Sequence, residues 1–253
     1  METLYGIVVI YNKSLEQSSS YESLRENQNI RLVVCDNSTE ENDNKEICDR
    51  YGSIYLAMGG NKGLSAAYNR AIDYISGEYG YQGWVCIFDD DTTVPGEYFQ
   101  VLSEAVSQYG TGIYLPVVKD ALGVMSPLVI DRSICRRAKG NPADIPYNKI
   151  SGINSGMAVS MELYKDYRYN EEMFLDYIDH EFIREMKKKG VSIKVMDVIL
   201  VQSFSMNSDD KKALMGRFAI QKKDWKIFYS KGLWQRFVYT LMVLKRTIKI
   251  YCK

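Results

Sequence analysis

Four short runs of apolar and β-branched residues, Tyr5–Tyr11, Ile30–Cys35, Ser53–Met58 and Trp84–Phe88, alternate with the longer stretches Glu16–Gln28, Asn42–Tyr51 and Leu64–Ser76. In the last of these, Leu64, Ala67, Tyr68, Ala71, Ile72 and Ile75 recur at helical spacing and put one apolar stripe on a helix. Strand, helix, strand, repeated in this way, is the pattern of an α/β fold, a doubly wound sheet with crossover helices on its faces. Ligands in such sheets sit at the carboxyl ends of the strands.

The residues that follow each run are therefore the first candidates for a site. Asn12 follows the first, Asp36-Asn37-Ser38 the second, Gly59 to Gly63 the third and Asp89-Asp90-Asp91 the fourth. Polar, glycine-rich loops are also simply what joins strands to helices. The second half is less regular. Its pattern predicts a helix at Gly96–Tyr109, strands at Gly112–Val118 and Met125–Ile134, a basic loop at Cys135–Asn148, a glycine-rich strand at Ser151–Val159, a helix at Asp176–Lys189 and a strand at Ser192–Val201.

Composition adds a division that the total hides. The 253 residues are 46% apolar and carry no net charge, as a folded globular chain would. Yet residues 1–210 hold 20 Lys and Arg against 31 Asp and Glu, while residues 211–253 hold 12 against a single acid, Asp224. Two units are expected on this basis: an α/β domain over 1–210 and a basic tail over 211–253. An acidic body repels phosphate backbones, so nucleic acid is not an expected partner. Five scattered cysteines without a C-x-x-C pair read as free thiols of a reducing compartment. The apolar run at the N-terminus is too short for a signal peptide, and no stretch approaches the roughly 20 apolar residues of a membrane span. A cytoplasmic protein is expected, with any membrane contact peripheral, on the inner face of the plasma membrane.

Three consecutive aspartates after a buried strand repel one another unless a cation or hydrogen bonds offset the charge. In an extended segment Asp89 and Asp91 fall on one side and Asp90 on the other. A hard divalent cation such as Mg²⁺ uses one or two carboxylates plus substrate phosphates, so a metal and diphosphate site fits this pattern. A turn and cap before the next helix is the plainer reading of the same three residues.

Taken together and in order, Val9 to Asn12, Val34 to Ser38, Asn61 to Asn69, Phe88 to Thr92, Ser151 to Gly156 and Phe174 to Glu181 resemble the family-2 inverting glycosyltransferases. Within that family the chain is most similar to the bacterial rhamnosyltransferase and galactofuranosyltransferase group. The resemblance runs from about residue 5 to 205. It implies a GT-A fold, Rossmann-like with a mixed central sheet, here followed by a basic helical extension. It implies that Asp36, with Tyr11 and Asn12 beside it, holds the base of a sugar nucleotide, that Asn61 and Gly63 belong to the loop closing over it, and that Asp90 lies by the donor. It further implies that Asp89 and Asp91 hold Mg²⁺ or Mn²⁺ against the diphosphate.

By spacing alone, Asp176, Asp179 and His180 share one face if the helix begins at Asp176, with Asp176 a cap and Asp179 a favourable first-turn charge. The resemblance instead makes Asp179 the base that takes the acceptor's proton, and Glu181 the acidic residue two places on. His180, the single histidine of the chain, and Gly156 fall among residues near the acceptor; as a lone histidine, His180 reads most simply as a surface residue. Family members commonly place a metal-ligating histidine in an H-x-x-G context after the next strand. Here Gln202 and Ser205 stand at those two positions, so either a weaker, neutral ligand meets the metal or the carboxylates and the diphosphate hold it alone.

In the tail, Phe237, Leu241, Leu244, Ile248 and Tyr251 fall on one helical face with Trp234 near it, opposite basic residues. That is the pattern of a helix on an anionic membrane surface. Packing on the acidic body or in a homodimer is the alternative. The resulting expectation is a metal-dependent inverting transfer from a dTDP- or UDP-linked sugar, rhamnose first and galactofuranose or galactose next, to a glycan or lipid-linked oligosaccharide acceptor. A nucleotidyltransferase and a non-catalytic sugar-nucleotide or partner-binding module are the rivals; Asn12-Lys13-Ser14 lacks the glycine-rich loop that the first would want.

Overall fold

The computed structural model describes residues 3–203 and 211–251. Ser205, in the predicted H-x-x-G context, and Cys252 and Lys253 lie outside the described residues. In chain order the elements are β1 (Leu4–Ile10), α1 (Ser19–Leu24), β2 (Ile30–Asp36), α2 (Asn44–Tyr51), β3 (Ile54–Ala57), α3 (Leu64–Tyr79), β4 (Trp84–Phe88), β5 (Thr92–Thr93), α4 (Tyr98–Tyr109), β6 (Ile113–Asp120), β7 (Gly123–Ser126), β8 (Leu128–Asp131), β9 (Ile134–Arg137), β10 (Ile150–Ser151), β11 (Met157–Ser160), α5 (Ile178–Lys188), β12 (Ile193–Gln202), α6 (Lys211–Phe228) and α7 (Leu233–Tyr251).

Among the described residues the main sheet runs β3-β2-β1-β4-β11-β6-β12-β5, with β7 added on β6. β1, β2, β3 and β4 are parallel, β11 runs antiparallel between β4 and β6, and β12 is parallel to β6. This is the mixed sheet of the GT-A type. A second sheet, β10-β8-β9, carries residues that the sequence pattern had assigned to one long strand and a basic loop. Arg136 and Arg137 stand in β9, and Arg137 is ion-paired with Asp120 of β6. The expected strand Ser151–Val159 divides between the two sheets as β10 and β11, broken at residues 152–156.

Alternation along β1 explains the layers. Tyr5 and Ile7 point into one core with Ala67, Tyr68, Ala71, Ile72 and Ile75 of α3, whereas Leu4, Val8 and Ile10 point into the other with Tyr21, Ile47, Tyr98 and Leu102 from the helices opposite. The first core extends to Phe182 and Met186 of α5 and to Trp225, Phe228 and Tyr229 at the end of α6. The basic tail is thus anchored on the body by aromatic packing.

Register brings the strand ends into line. Ile10 pairs with Asp36, Asp36 with Ala57 and Val8 with Phe88, so Tyr11, Asn37, Met58 and Asp89 emerge on one edge.

Candidate active site

A cleft of about 660 Å³ opens at that edge, and Asp89, Asp90, Asp91, Asp176 and Asp179 all line it. Each acid is delivered by a different local device. The turn after β4 closes with Thr92 donating its N–H to the Asp89 carbonyl, and it sends Asp90 away to Lys13 at 2.9 Å. Asp89 and Asp91 stay together, because β5 pairs with the end of β12 and sets Gln202 opposite Thr92. From there the Gln202 Nε2 donates to Asp89 at 3.2 Å and to Asp91 at 2.8 Å. Two carboxylates near enough to share one donor suit a divalent cation. The Gln202 Oε1 is buried without a hydrogen-bond partner. Among the described residues no cluster of three His, Cys, Asp or Glu forms around this pair.

Burial, followed by the charges of Asp91, Asp179 and Asp90, pushes the Asp89 carboxyl up to about 7. Burial also raises Asp91 and Asp179 above the ordinary carboxylate range. That Asp179 contributes to the shift of Asp89 places the two ends of the expected chemistry in one electrostatic unit.

Helix α5 begins at Ile178, two residues later than the spacing suggested, after Tyr177 in the left-handed conformation (φ 65°). Asp176 therefore lies before the helix and is no cap. Asp179 sits in the first turn, and its Oδ1 accepts the His180 N–H at 2.6 Å. His180 is buried, 5% exposed, rather than a surface residue. Its ring contacts Ser151 Oγ at 2.9 Å through Nδ1 and Cys135 Sγ at 3.7 Å through Nε2. Although burial opposes the charged imidazolium, the neighbouring Asp179 carboxylate lifts His180 to about 9. His180 faces a smaller cavity on the far side of α5 rather than the cleft. Glu181 is ion-paired with Arg184 at 3.2 Å and also stands outside the cleft lining.

At the other end, Tyr11 lines the cleft with half of its surface exposed. Asn12 (φ 46°) staples two loops, receiving the Thr39 N–H at 2.8 Å and donating its own N–H to Ser38 Oγ. Asp36 is buried and already engaged: Ser38 N–H, Asn44 and the Tyr55 hydroxyl all donate to it. Those bonds outweigh burial and hold its carboxyl below the ordinary range. It forms the floor behind Asn37, which lines the cleft and fixes the next loop by donating to Gly63 O and accepting the Lys62 N–H. Asn61 and Gly63 line the cleft as well. Gly63 has φ 85°, and a Cβ there would meet the Phe174 carbonyl oxygen at 2.6 Å, so only glycine fits. Gly156 has a packing role. Its N–H donates to Ile87 O at 2.7 Å, and a Cβ would strike Leu200 at 2.4 Å.

Several site residues escaped the sequence reading. Tyr68 and Asn154 line the cleft between the acids, and Asn154 Oδ1 is buried without a partner. Arg217 and Gln221 reach the cleft from α6. Asp224, wholly buried, accepts the N–H groups of Phe174, Leu175 and Asp176, each at 2.8 Å. Arg217, Gln221 and Asp224 stand at i, i+4 and i+7, one face of a helix, and this spacing was the available signal. Phe174 in turn accepts the Leu64 N–H at 2.7 Å, so Asp224 ties the segment before α5 to the start of α3. Asp224→Ala strips three donors of a charged acceptor and is expected to lower stability by about 3 kcal/mol in urea unfolding. A loss below about 1 kcal/mol would show that the segment holds itself.

Comparison with known proteins agrees with this geometry. The family model described as Glycosyl transferase family 2 matches residues 7–167, more than half of the chain. The dTDP-rhamnosyl transferase RfbF of Shigella flexneri is 26% identical over 219 residues, covering 81% of this chain and 70% of that protein. Among solved structures, GalNAc-T7 with UDP, GalNAc and Mn²⁺ matches 81% of this chain with a TM-score of 0.61 at 13% identity. S. aureus TarS 1-349 in complex with UDP matches 99% of this chain and 72% of that chain, with a TM-score of 0.59 at 13% identity. The chain spans 44% of the GalNAc-T7 chain and 44% of the chain in another S. aureus TarS structure. The structural likenesses concern the fold; the family match and the cleft at the strand ends concern the chemistry. The chain belongs to glycosyl transferase family 2 and is a glycosyltransferase of GT-A type that uses a nucleotide sugar.

Proposed function

We propose that the enzyme transfers a single sugar, with inversion, from a nucleoside diphosphate sugar to a hydroxyl of a bacterial surface glycan or its lipid-linked precursor, with Asp179 as base. Rhamnose on dTDP is the leading donor, supported by the 26% identity to a dTDP-rhamnosyl transferase. The observation that carries the reading is one cleft holding both the Asp89 and Asp91 pair and the partly buried Asp179.

In this mechanism Tyr11 and Asn37 frame the base end, over the floor made by Asp36 and Asn12, while Asn61 and Gly63 close the loop beside the nucleotide. Asp89 and Asp91 would hold Mg²⁺ or Mn²⁺, which supplies neutralisation of the charge left on the departing diphosphate. With a cation held there, a half-turn of the Gln202 amide would offer it the Oε1 that now lacks a partner, in place of the Nε2 that donates to both carboxylates. Asp179 takes the proton of the acceptor hydroxyl; that oxygen bonds to the anomeric carbon as the bond from that carbon to the diphosphate oxygen breaks. Burial keeps Asp179 a stronger base than a solvated carboxylate. Release of nucleoside diphosphate across a panel of dTDP- and UDP-sugars with Mn²⁺ is the test. The reading requires turnover with dTDP-rhamnose above the UDP-sugars; preference for a UDP-sugar would replace the sugar, and turnover with none would sink the reading.

We further propose that α7 rests on an anionic membrane surface. No helix among the described residues is long and apolar enough to cross a membrane. Leu233, Trp234, Phe237, Leu241, Leu244, Ile248 and Tyr251 are nevertheless about half exposed or more along one face, while Val238 and Ile250 on the other face are buried. The basic excess of the tail complements acidic lipid. Leu241→Glu/Leu244→Glu is expected to reduce co-sedimentation with phosphatidylglycerol vesicles by about tenfold or more, with transfer to a water-soluble acceptor unchanged. Unchanged co-sedimentation, or wild-type protein that ignores the vesicles and dimerises through this face, contradicts it.

A further inference from the structure

The cleft that receives a diphosphate is lined by five aspartates and, among the described residues, by one cation, Arg217. Arg217 belongs to α6, beyond residues 7–167 that the family model matches. It is held by Asp176, which accepts from both of its terminal nitrogens, one contact being 2.7 Å, and Gln221 donates to the same carboxylate at 3.3 Å. Asp176 is itself fixed through its backbone N–H to Asp224. The guanidinium is therefore kept at the wall of the cleft by a carboxylate of the cleft itself. Its side chain is 27% exposed, against 13% for Asp176, so the cation is the more accessible member of the pair.

We propose that Arg217 is a donor-binding residue that exchanges Asp176 for the terminal phosphate of the nucleoside diphosphate. The inference rests on the nucleotide-sugar reading of the cleft and adds a residue to it. A planar guanidinium that already spans two carboxylate oxygens has the donor geometry to span two phosphate oxygens. A cleft with five acids repels the leaving group it must hold; one divalent cation shared by two carboxylates, and Lys13 paired with Asp90, still leave Asp176 and Asp179 facing it. Arg217 meets that need without a new element: its guanidinium would leave the two Asp176 oxygens for two phosphate oxygens. Gln221, one turn along the same helix face, keeps Asp176 hydrogen-bonded when the arginine leaves. Donor binding would in this way draw on the tail helix, and the start of α6 would be tightened by it.

Calorimetric titration in Mn²⁺ tests the exchange with four full-length proteins: wild type, Arg217→Gln, Asp176→Asn and the double variant. dTDP and UDP are the probes, with dTMP and UMP as controls that lack the terminal phosphate. Arg217→Gln is expected to weaken the diphosphates about tenfold, or ~1.4 kcal/mol, and the monophosphates less than about twofold. Asp176→Asn, which breaks the same ion pair, should have the opposite sign and tighten the diphosphates by a few-fold. Within the Asp176→Asn background, adding Arg217→Gln should still remove about tenfold. If the two single variants change diphosphate affinity in the same direction, or the double variant binds dTDP as tightly as Asp176→Asn, Arg217 is only a structural partner of Asp176 and the proposal fails. Should Arg217→Gln disturb the loop, the monophosphates will weaken equally; the Asp176→Asn result then decides, since unchanged or weaker diphosphate binding there overturns the proposal. Wild type that binds neither dTDP nor UDP overturns the nucleotide-sugar reading, and this proposal with it.

Discussion

Asp179→Asn is expected to lower kcat by about 10³-fold while changing the affinity for nucleoside diphosphate by less than about twofold. The substitution keeps the side chain's shape and leaves an oxygen to accept the His180 N–H, which Asp179 Oδ1 receives at 2.6 Å. What disappears is the lone pair that takes the acceptor's proton. Asp179 is suited to that task because burial raises its pKa, and because His180 stands behind it, anchored through Ser151 and Cys135, rather than in the cleft. The competing account, in which Asp179 is only a favourable charge in the first turn of α5, predicts a different signature: near-normal kcat and a stability loss of about 0.3–1 kcal/mol. Steady-state kinetics with urea unfolding on the same variant separates them.

Asp91→Asn is expected to weaken Mn²⁺ binding by at least about 10²-fold, with activity falling in proportion. The wild-type protein should also show a marked pH dependence. Without the cation, Asp89 titrates at about 7 through burial and the charges of Asp91, Asp179 and Asp90. Below that pH a proton must leave before the cation binds, so Mn²⁺ affinity should rise about tenfold per pH unit up to roughly 7 and flatten above it. The sign for stability is opposite. A carboxyl whose folded pKa is raised from 3.8 resists ionisation in the folded state, so the cation-free protein should lose stability as pH rises through that window, and Mn²⁺ should restore it. In Asp91→Asn, with one repelling charge removed, the break should move to lower pH. Mn²⁺ affinity that does not vary between about pH 5 and 8 would contradict an Asp89 that both ligates the cation and titrates near 7.

The strands and helix that frame the Tyr11 end of the cleft were legible because each is decided locally. The stripe of α3 and the alternation of β1 follow from residue spacing alone, and the edge where Tyr11, Asn37 and Asp89 emerge follows from parallel register. Asp90 does part from Asp89 and Asp91 as alternation suggested, but through the turn that Thr92 closes on Asp89 rather than through an extended backbone. The interior of the second half was less legible. There β7, β8 and β9 are short, and a register shift interrupts the pairing of β12 with β6 between Val195 and Ile199, so no long period marks them. The helix boundary at Ile178 depends on Tyr177 taking a left-handed conformation, which nothing in its own identity announces. His180 was misjudged as a surface residue because its burial comes from β9 and β10, distant in sequence. Most of all, the contribution of α6 was hidden by composition. Twelve cations in residues 211–253 drew attention to charge, whereas the residues that touch the cleft segment are the arginine, glutamine and lone aspartate on one helical face.

The most direct test of the central claim is the anomeric configuration of the first product, read by NMR from a single turnover of wild-type enzyme with dTDP-rhamnose and a hydroxyl acceptor. A displacement assisted by Asp179 alone breaks one bond as another forms on the opposite face, so the account predicts inversion at the anomeric carbon. Retention of configuration would contradict it, because retention requires a nucleophile or a second displacement that this cleft has not been given.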